Sequence, residues 1–405
     1  MKNFLILLVL QTFLLGEGFS QSGCTDPLAS NYDPLAVVND GSCLYPFTTQ
    51  SPTFSVPIPD TIMESSGLLW YNQRYWSQND DTDPNWYALD SLTGLIIDTL
   101  QWTGLVNFDW EEIQQNDQYF FIGDIGNNSG NRTDLKFFRI PKTAVNGFDL
   151  SVVDTIAFHY EDQLDFNNAA NDHDFDGEAF LVDEDSIYLF TKCWASQTTS
   201  LYTFPNTVGE HAAIKRATWD VQGMITGAHR LSGDDHIALV GYTELLQPFM
   251  VLLYDFQGTD FLGANKRKIS LGMPFHQMEA VCSADGLHYY LTNEKVVQGF
   301  TVPAQWHHWD ATSFLVEDTA VVNIAQSDWS DLHVFPNPVN EILVVSGLPK
   351  WRPLSWRLLN ERGALLDSGL VWNDTLVYSM LQMDKGIYFL ELGVSNRKVV
   401  KVVHQ

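Results

Sequence analysis

The sequence predicts an all-β fold: a five-bladed β-propeller, six-bladed if one repeat has drifted, followed by a small Ig-like β-sandwich. Three observations predict it. From about Pro52 to Asp318, short aromatic and β-branched runs alternate with Asn, Asp and Gly clusters and show no helical period. Within that stretch, a pentad that opens an apolar strand recurs about every fifty residues, the period of a propeller blade. From Asp331 the texture changes to alternating strands separated by turns. Composition supplies the material, because 45% of the 405 residues are hydrophobic and 18% are charged, enough for one large core with smaller appendages.

Acidic residues number 50 against 22 basic ones, a formal net charge of -28. Such a field repels phosphate backbones and anionic lipid, which argues against nucleic acid as a partner. It either attracts divalent cations and cationic ligands or serves solubility in a salty exterior.

Along the chain, residues 1–20 read as a secretory signal. Lys2 precedes the apolar run FLILLVLQTFLL, and the small residues Gly18 and Ser20 precede a cut near Gln21. The run is too short for a membrane span, and no later segment reaches 18 consecutive apolar residues, so the mature protein is expected to lack a transmembrane span. Residues 21–46 form a turn-dense segment bracketed by Cys24 and Cys43. In an oxidising compartment these two are expected to pair, a staple worth roughly 3 kcal/mol in the chain-entropy model. Cys193 and Cys282 lie in strand-like runs and read as buried small hydrophobes. The segment GCTDPLASNYDPLAVVNDGSC closely resembles the GCTDPxAxNYxPxAxxxDGSC modules of secreted bacterial surface proteins. Its Asp26, Asp33, Asn39 and Asp40 would either gather calcium or cap Asx turns.

Residues 47–59 read as linker and closing strand, and residues 60–320 as the propeller. The pentads begin at Glu64, Asp109, Asp176, Met224 and Gln277, and each is followed by a turn and a second strand: RYWSQND, QYFFIGD, SIYLFTK, HIALVGY and LHYYLTN. The first four repeats show a third strand, NWYALD, LKFFRI, LYTF and MVLLYD. Ser51–Ile58 is suited to complete the last blade and remove its open edge. These strand openings resemble those of phytase-like and gluconolactonase-like propellers, a likeness that bears on fold rather than activity.

The strand opening each blade lines the channel, and side chains two apart on it share a face. The pentads therefore place Glu64, Ser66, Asp109, Glu111, Asp176, Glu178, Thr226 and Glu279 around one axis. So many carboxylates cannot all stay ionised without a positive partner. Either an oxygen-liganded cation, Ca²⁺ first, resides there, or the polar groups bond backbone and water. Asp172, Asp174 and Asp176 fit the first half of a D-x-D-x-D-G calcium loop, although position twelve is Asp183 and the flanks are not helical. The candidate metal ligands are thus Asp109, Glu111, Asp172, Asp174, Asp176, Glu178 and Glu279. The loop Gly123–Arg132, with Asp124, Asn293 and Glu294, is read as either an acidic, amide-lined pocket or an elaborate surface turn. His173, His229 and His276 lie next to pentads, within possible reach of the channel. No nucleophile elbow, HExxH or phosphate loop is present.

Residues 331–405 carry Phe335-Pro336-Asn337-Pro338, Asn360 to Gly363, Gly386-Ile-Tyr388-Phe-Leu390 and the terminal Lys398-Val-Val-Lys401, in that order. Throughout its length this region resembles the C-terminal sorting domain of the bacterial type IX secretion pathway. The resemblance implies recognition by the outer-membrane translocon and sorting machinery. Removal of the domain would follow, with release into the medium or attachment to surface lipopolysaccharide. The expected function is that of a secreted or cell-surface binding module for an extracellular ligand, calcium-supported at its channel mouth. The competing reading is a metal-dependent propeller hydrolase, lactonase-like or phosphoesterase-like, with Glu111 or Glu178 as base.

Overall fold

The computed structural model describes residues 21–405 apart from 184, 232–235, 316–328, 330–331, 349–353, 361–364, 372–374, 382 and 393–397. The expected signal at 1–20 lies outside the described residues, as does Asp331.

The middle of the chain forms four-stranded antiparallel units in which the pentad strand is innermost. The first runs Ser65–Tyr71, Arg74–Asn79, Asn85–Leu89, Ile96–Gln101, and the second Trp110–Gln115, Tyr119–Asp124, Lys136–Pro141, Asp154–Tyr160. The third is Asp176–Val182, Ser186–Lys192, Thr199–Pro205, Gly209–Trp219, and the fourth Met224–His229, His236–Tyr242, Pro248–Tyr254, Asn265–Ser270. In the fifth, Met278–Ser283, His288–Asn293 and Gln305–Asp310 are completed by Phe54–Pro57 from the N-terminal side. The outer strands of the second and third units pair in parallel, Ile156 opposite Gly209, so these two units share one eight-stranded sheet. Each inner strand contacts the next, and the fifth contacts the first, so the inner strands close into a ring.

Burial follows from this closure. Each sheet is covered on both faces, and one apolar cluster fills each gap between neighbours. Trp86, Trp102, Trp110 and Phe120 lie between the first and second sheets, while Tyr75, Ala280 and Trp306 lie between the fifth and first. That is why Pro248–Tyr254 reads as continuous apolar sequence rather than alternation. The closing strand pairs as the sequence suggests, with Val56 opposite Trp306 and Phe54 opposite His308. The fifth unit's third strand, QWHHWD, escapes the repeat pattern because a small Val296–Val297/Thr301–Val302 hairpin intervenes.

Cys24 and Cys43 are disulfide-bonded, and Cys193 and Cys282 are free and buried. In the stapled segment Asp26, Asp33, Asn39 and Asp40 each accept a backbone N–H two residues on, so all four serve Asx turns. This segment docks on the fourth sheet, where Tyr45 and Tyr254 both donate to Asp26 Oδ2 at 2.6 Å.

At the C-terminal end, His333–Phe335, Ile342–Ser346 and Thr375–Ser379 form one sheet, and Leu354–Asn360, Leu365–Val371, Gly386–Leu392 and Lys398–His404 another. Leu343, Val345, Leu358, Leu390 and Val402 are among the side chains buried in the common core. Asn337 ties the FPNP stretch to the last strand: its Nδ2 donates to Lys401 O at 2.7 Å, and its Oδ1 accepts from Val403 N at 2.9 Å.

Candidate functional site

One local irregularity builds the channel mouth, and it occurs in every unit. Each inner strand slips register against its neighbour between the second and fourth or fifth pentad residues: 65/68, 110/112, 177/179, 225/227 and 278/280. The third pentad residue falls in each bulge: Ser66, Glu111, Glu178, Thr226 and Glu279. A bulge re-aims a side chain that regular pleating would place elsewhere. All five are buried. The hydroxyls knit neighbouring units, Ser66 Oγ donating to Glu111 O and Thr226 Oγ1 to Met278 O at 2.5 Å.

The positive partner that the carboxylates require comes from the chain itself. Lys192, at the end of the third unit's second strand, lies opposite Asp176 and places Nζ 2.9 Å from Glu178 Oε1. Both side chains are buried, and the ammonium also lies over the rings of Trp194 and Tyr242. Burial alone would lower the Lys192 pKa, but Glu178 and its acidic neighbours hold it well above its ordinary value. One ammonium does not balance the ring. Burial, then Glu178 and Asp109, push the Glu111 carboxyl well up. Burial and then Asp176 raise Asp109 to about 6, against the pull of Arg132. Burial raises Glu279 as well, offset in part by Lys192.

The loop after the second unit's second strand covers this group and is largely buried. Ile125 N and Gly126 N donate to Asp109 O, and Asn127 N donates to Asp176 Oδ1 at 2.5 Å. Trp194 Nε1 donates to Asp176 Oδ2 at 2.7 Å, so both oxygens of that carboxylate are engaged. A Cβ on Gly126 would fall 2.2 Å from Glu111 Oε1, which explains the glycine. Asp124 offers no free carboxylate oxygen to the pocket expected with Asn293 and Glu294, because Arg132 and Lys136 take its two oxygens at 2.8 and 2.9 Å.

The structure brings together Asp109, Glu111, Asp176, Glu178 and Glu279, and it leaves the rest of the acidic loop apart. Asp172 is exposed, and Asp174 Oδ1 accepts from Ser196 N at 3.0 Å. Among the described residues, the one group of acids whose ligand atoms all lie within 4.8 Å of one another is Glu64, Asp80 and Glu294. Asp80 escaped sequence reasoning, although it and Glu294 each follow an Asn at the end of a second strand, in units adjacent only once the ring closes.

Deeper in the channel, Glu112 is fully buried and crosses the ring. Its Oε2 accepts from Ala228 N at 3.1 Å and its Oε1 from Ile113 N at 2.9 Å, while Gln114 Nε2 donates to Ala228 O at 2.9 Å. Burial raises the Glu112 carboxyl far above its usual range. A signal was present, since the fourth pentad residue is Gly67, Ala179, Gly227 or Ala280 elsewhere and Glu only here. Beyond this bridge the opposite face holds a cleft of about 1130 Å³, lined by Trp70, Gln114, Gln115, His229 and Arg230 among others. His229 therefore faces away from the acidic mouth, and burial lowers its pKa to about 4. His173 is absorbed in its loop, with Nδ1 accepting from Phe175 N. The four cations near strand ends are all paired: Arg74 with Asp98, Arg132 with Asp124, Lys192 with Glu178 and Arg230 with Asp183.

No protein-family model and no curated protein matches this sequence. Among solved structures the fold is similar to PorZ of Porphyromonas gingivalis, described as a surface component of the type IX secretion system. The identity is 12% and the TM-score 0.30, over 84% of this chain and 45% of that one. It is also similar to an exo-β-1,3-galactanase of Phanerochaete chrysosporium, at 8% identity and TM-score 0.38 over 91% and 97% of the two chains. A putative 6-phosphogluconolactonase of Bacteroides fragilis matches at 11% identity and TM-score 0.32, over 77% and 86%. The chain thus spans less than half the length of PorZ, and none of these likenesses transfers an activity to it.

Proposed function

We propose that the chain is exported by the type IX route to the cell surface or medium. There its propeller acts as a binding module whose acidic mouth receives a cationic group of an extracellular ligand. The observation that carries the binding reading is the bulge-built convergence of Glu111, Glu178 and Glu279, with Asp109 and Asp176 beside them, around a single buried ammonium, Lys192. Rigid, excess negative charge in a partly desolvated site favours cations strongly. The pairing of Arg74, Arg132, Lys192 and Arg230 weighs against recognition of phosphate esters at the acidic mouth, the form of the hydrolase reading that needs free basic groups there. The ordered FPNP, Gly386-Ile-Tyr388 and Lys398–Lys401 motifs support the export reading.

The test is calorimetric titration of the mature chain with a basic oligopeptide and with spermine. Binding that weakens about tenfold or more in Glu111→Gln, at unchanged circular dichroism, supports the reading. Absence of binding together with turnover of a lactone would replace it with the hydrolase. Export is checked separately: a chain ending at residue 328 should remain in the periplasm of a type IX-competent host.

A further inference from the structure

The seam between the first and fifth units holds an arrangement that neither the Lys192 pair nor the FPNP motifs account for. Glu64 precedes the first inner strand, Asp80 follows the first unit's second strand, and Glu294 follows the fifth unit's second strand. Their backbones are fixed before any ligand arrives. Asp80 N donates to Glu64 O at 3.0 Å, Glu64 N to Asn79 Oδ1 at 3.3 Å, and Glu294 N to Gln277 O at 3.1 Å. Lys295 N reaches across the seam to Met63 O at 2.9 Å. Three carboxylates from three strand ends, with Glu64 and Glu294 230 residues apart in sequence, thus meet because the ring closes.

Two orphaned oxygens distinguish this group from an ordinary acidic surface. Asp80 Oδ1 is inaccessible to solvent and makes no hydrogen bond. Glu279, only 3% exposed, stands behind the group with Oε2 likewise buried and unpartnered. Its charge is the largest felt by Glu294 and is also felt by Asp80, which places it against the same cluster. An unpaired buried carboxylate oxygen costs free energy unless a proton or a cation meets it. Lys295 is drawn off to Asp60 at 3.2 Å and does not fill the gap.

We propose that Glu64, Asp80 and Glu294 hold one divalent cation, calcium by preference, which pins the first unit to the fifth at the ring's closing seam. Their ligand oxygens all lie within 4.8 Å of one another, inside the span that a single Ca²⁺ ion bridges with two bonds of about 2.3–2.6 Å. Ligands drawn from three strand ends suit calcium's tolerant geometry better than the strict octahedron of magnesium. In role, the site rests on the reading of the mouth as cation-attracting. Its position differs from the D-x-D-x-D-G stretch that the sequence offered, where Asp172 is exposed and Asp174 caps a backbone N–H.

The experiment uses the mature chain after chelation. Terbium luminescence sensitised by tryptophan is a suitable first probe, since Trp110 N lies 2.6 Å from Asp80 O, and calcium calorimetry gives stoichiometry. One equivalent of calcium is expected, with a raised melting midpoint and affinity lowered about tenfold or more in Asp80→Asn and in Glu294→Gln. Asp174→Asn should leave affinity unchanged. Should Asp80→Asn fail to fold, Glu64→Gln provides the same readout. No binding at millimolar calcium, or loss in Asp174→Asn with retention in Glu294→Gln, overturns the site. Spermine binding measured in chelator separates the two readings: calcium binding without spermine binding keeps this site and sinks the ligand-binding proposal, and the converse keeps only the latter.

Discussion

His307 shows how much a single side chain can do once its strand is placed. It sits fully buried on the fifth unit's third strand, with Nδ1 2.7 Å from Ser55 Oγ on the closing strand and Nε2 2.8 Å from Asn293 Oδ1. The neutral ring fits this clasp, donating through Nε2 and accepting at Nδ1, and burial lowers its pKa to about 3. A histidine whose folded pKa is depressed stabilises above its unfolded value near 6.5 and loses that contribution as pH falls toward the folded one. From pH 6.5 down to about 3, His307 should therefore cost up to about 1.4 kcal/mol per pH unit. The acid side of the urea stability curve should be shallower in His307→Gln than in wild type, and parallel curves would refute the clasp. Asp109 and Asp80, raised to about 6 and about 7, slope the opposite way in both proteins, so the difference between curves isolates the histidine. In the sequence, adjacency of His307 and His308 indicates only opposite faces, because both partners of His307 come from other strands. Lys192 was hidden for the same reason, since its meaning depends on facing Asp176 across a ladder.

The legible part of the strand openings was the recurrence of acids at the first or third pentad position in all but the fourth unit, where Met224 and Thr226 stand. What alternation could not show is the bulge, because a one-residue slip changes which face the third residue takes. In four of the five units the sequence trace of that slip is a small fourth residue, Glu112 being the exception. Gly67 would place a Cβ 2.5 Å from Ile113 N, and Gly227 one 2.6 Å from Glu279 O and 3.2 Å from Ala280 Cα. These neighbours are backbone of the adjacent inner strand and cannot rotate away. Gly227→Ala must therefore part the fourth and fifth inner strands, and a loss of about 1–3 kcal/mol is expected by urea denaturation. Gly386→Ala, with nothing within 4 Å of the new Cβ, should stay within about 0.5 kcal/mol and serves as the comparison. Equal effects at the two glycines would remove the packing explanation for the small fourth residue.

At the scale of the whole molecule, closure decides what charge can do. A ring of sheets holds its acids at fixed distances, so a net charge of -28 is a standing repulsion that the unfolded chain relieves by expanding. Opposing it are partly exposed ion pairs such as Arg139 with Asp154 at 2.6 Å and Lys215 with Asp162 at 2.5 Å, each worth about 1 kcal/mol. With 22 basic residues against 50 acidic, most acids have no such partner available, and long-range repulsion should outweigh pairing. Raising sodium chloride from about 0.02 to about 0.3 M shortens the screening length from about 20 Å to about 6 Å, below the distance between most surface charges. In the presence of chelator, the melting midpoint should rise by a few degrees over that range, by the usual conversion of about 1 kcal/mol to 2–4 °C for large domains. The rise should persist in Glu294→Gln, because screening acts on the whole charge, whereas a calcium-induced rise should not, because it acts at one seam. A midpoint that falls with salt would mean that the ion pairs dominate and that the acidic excess contributes solubility without straining the ring.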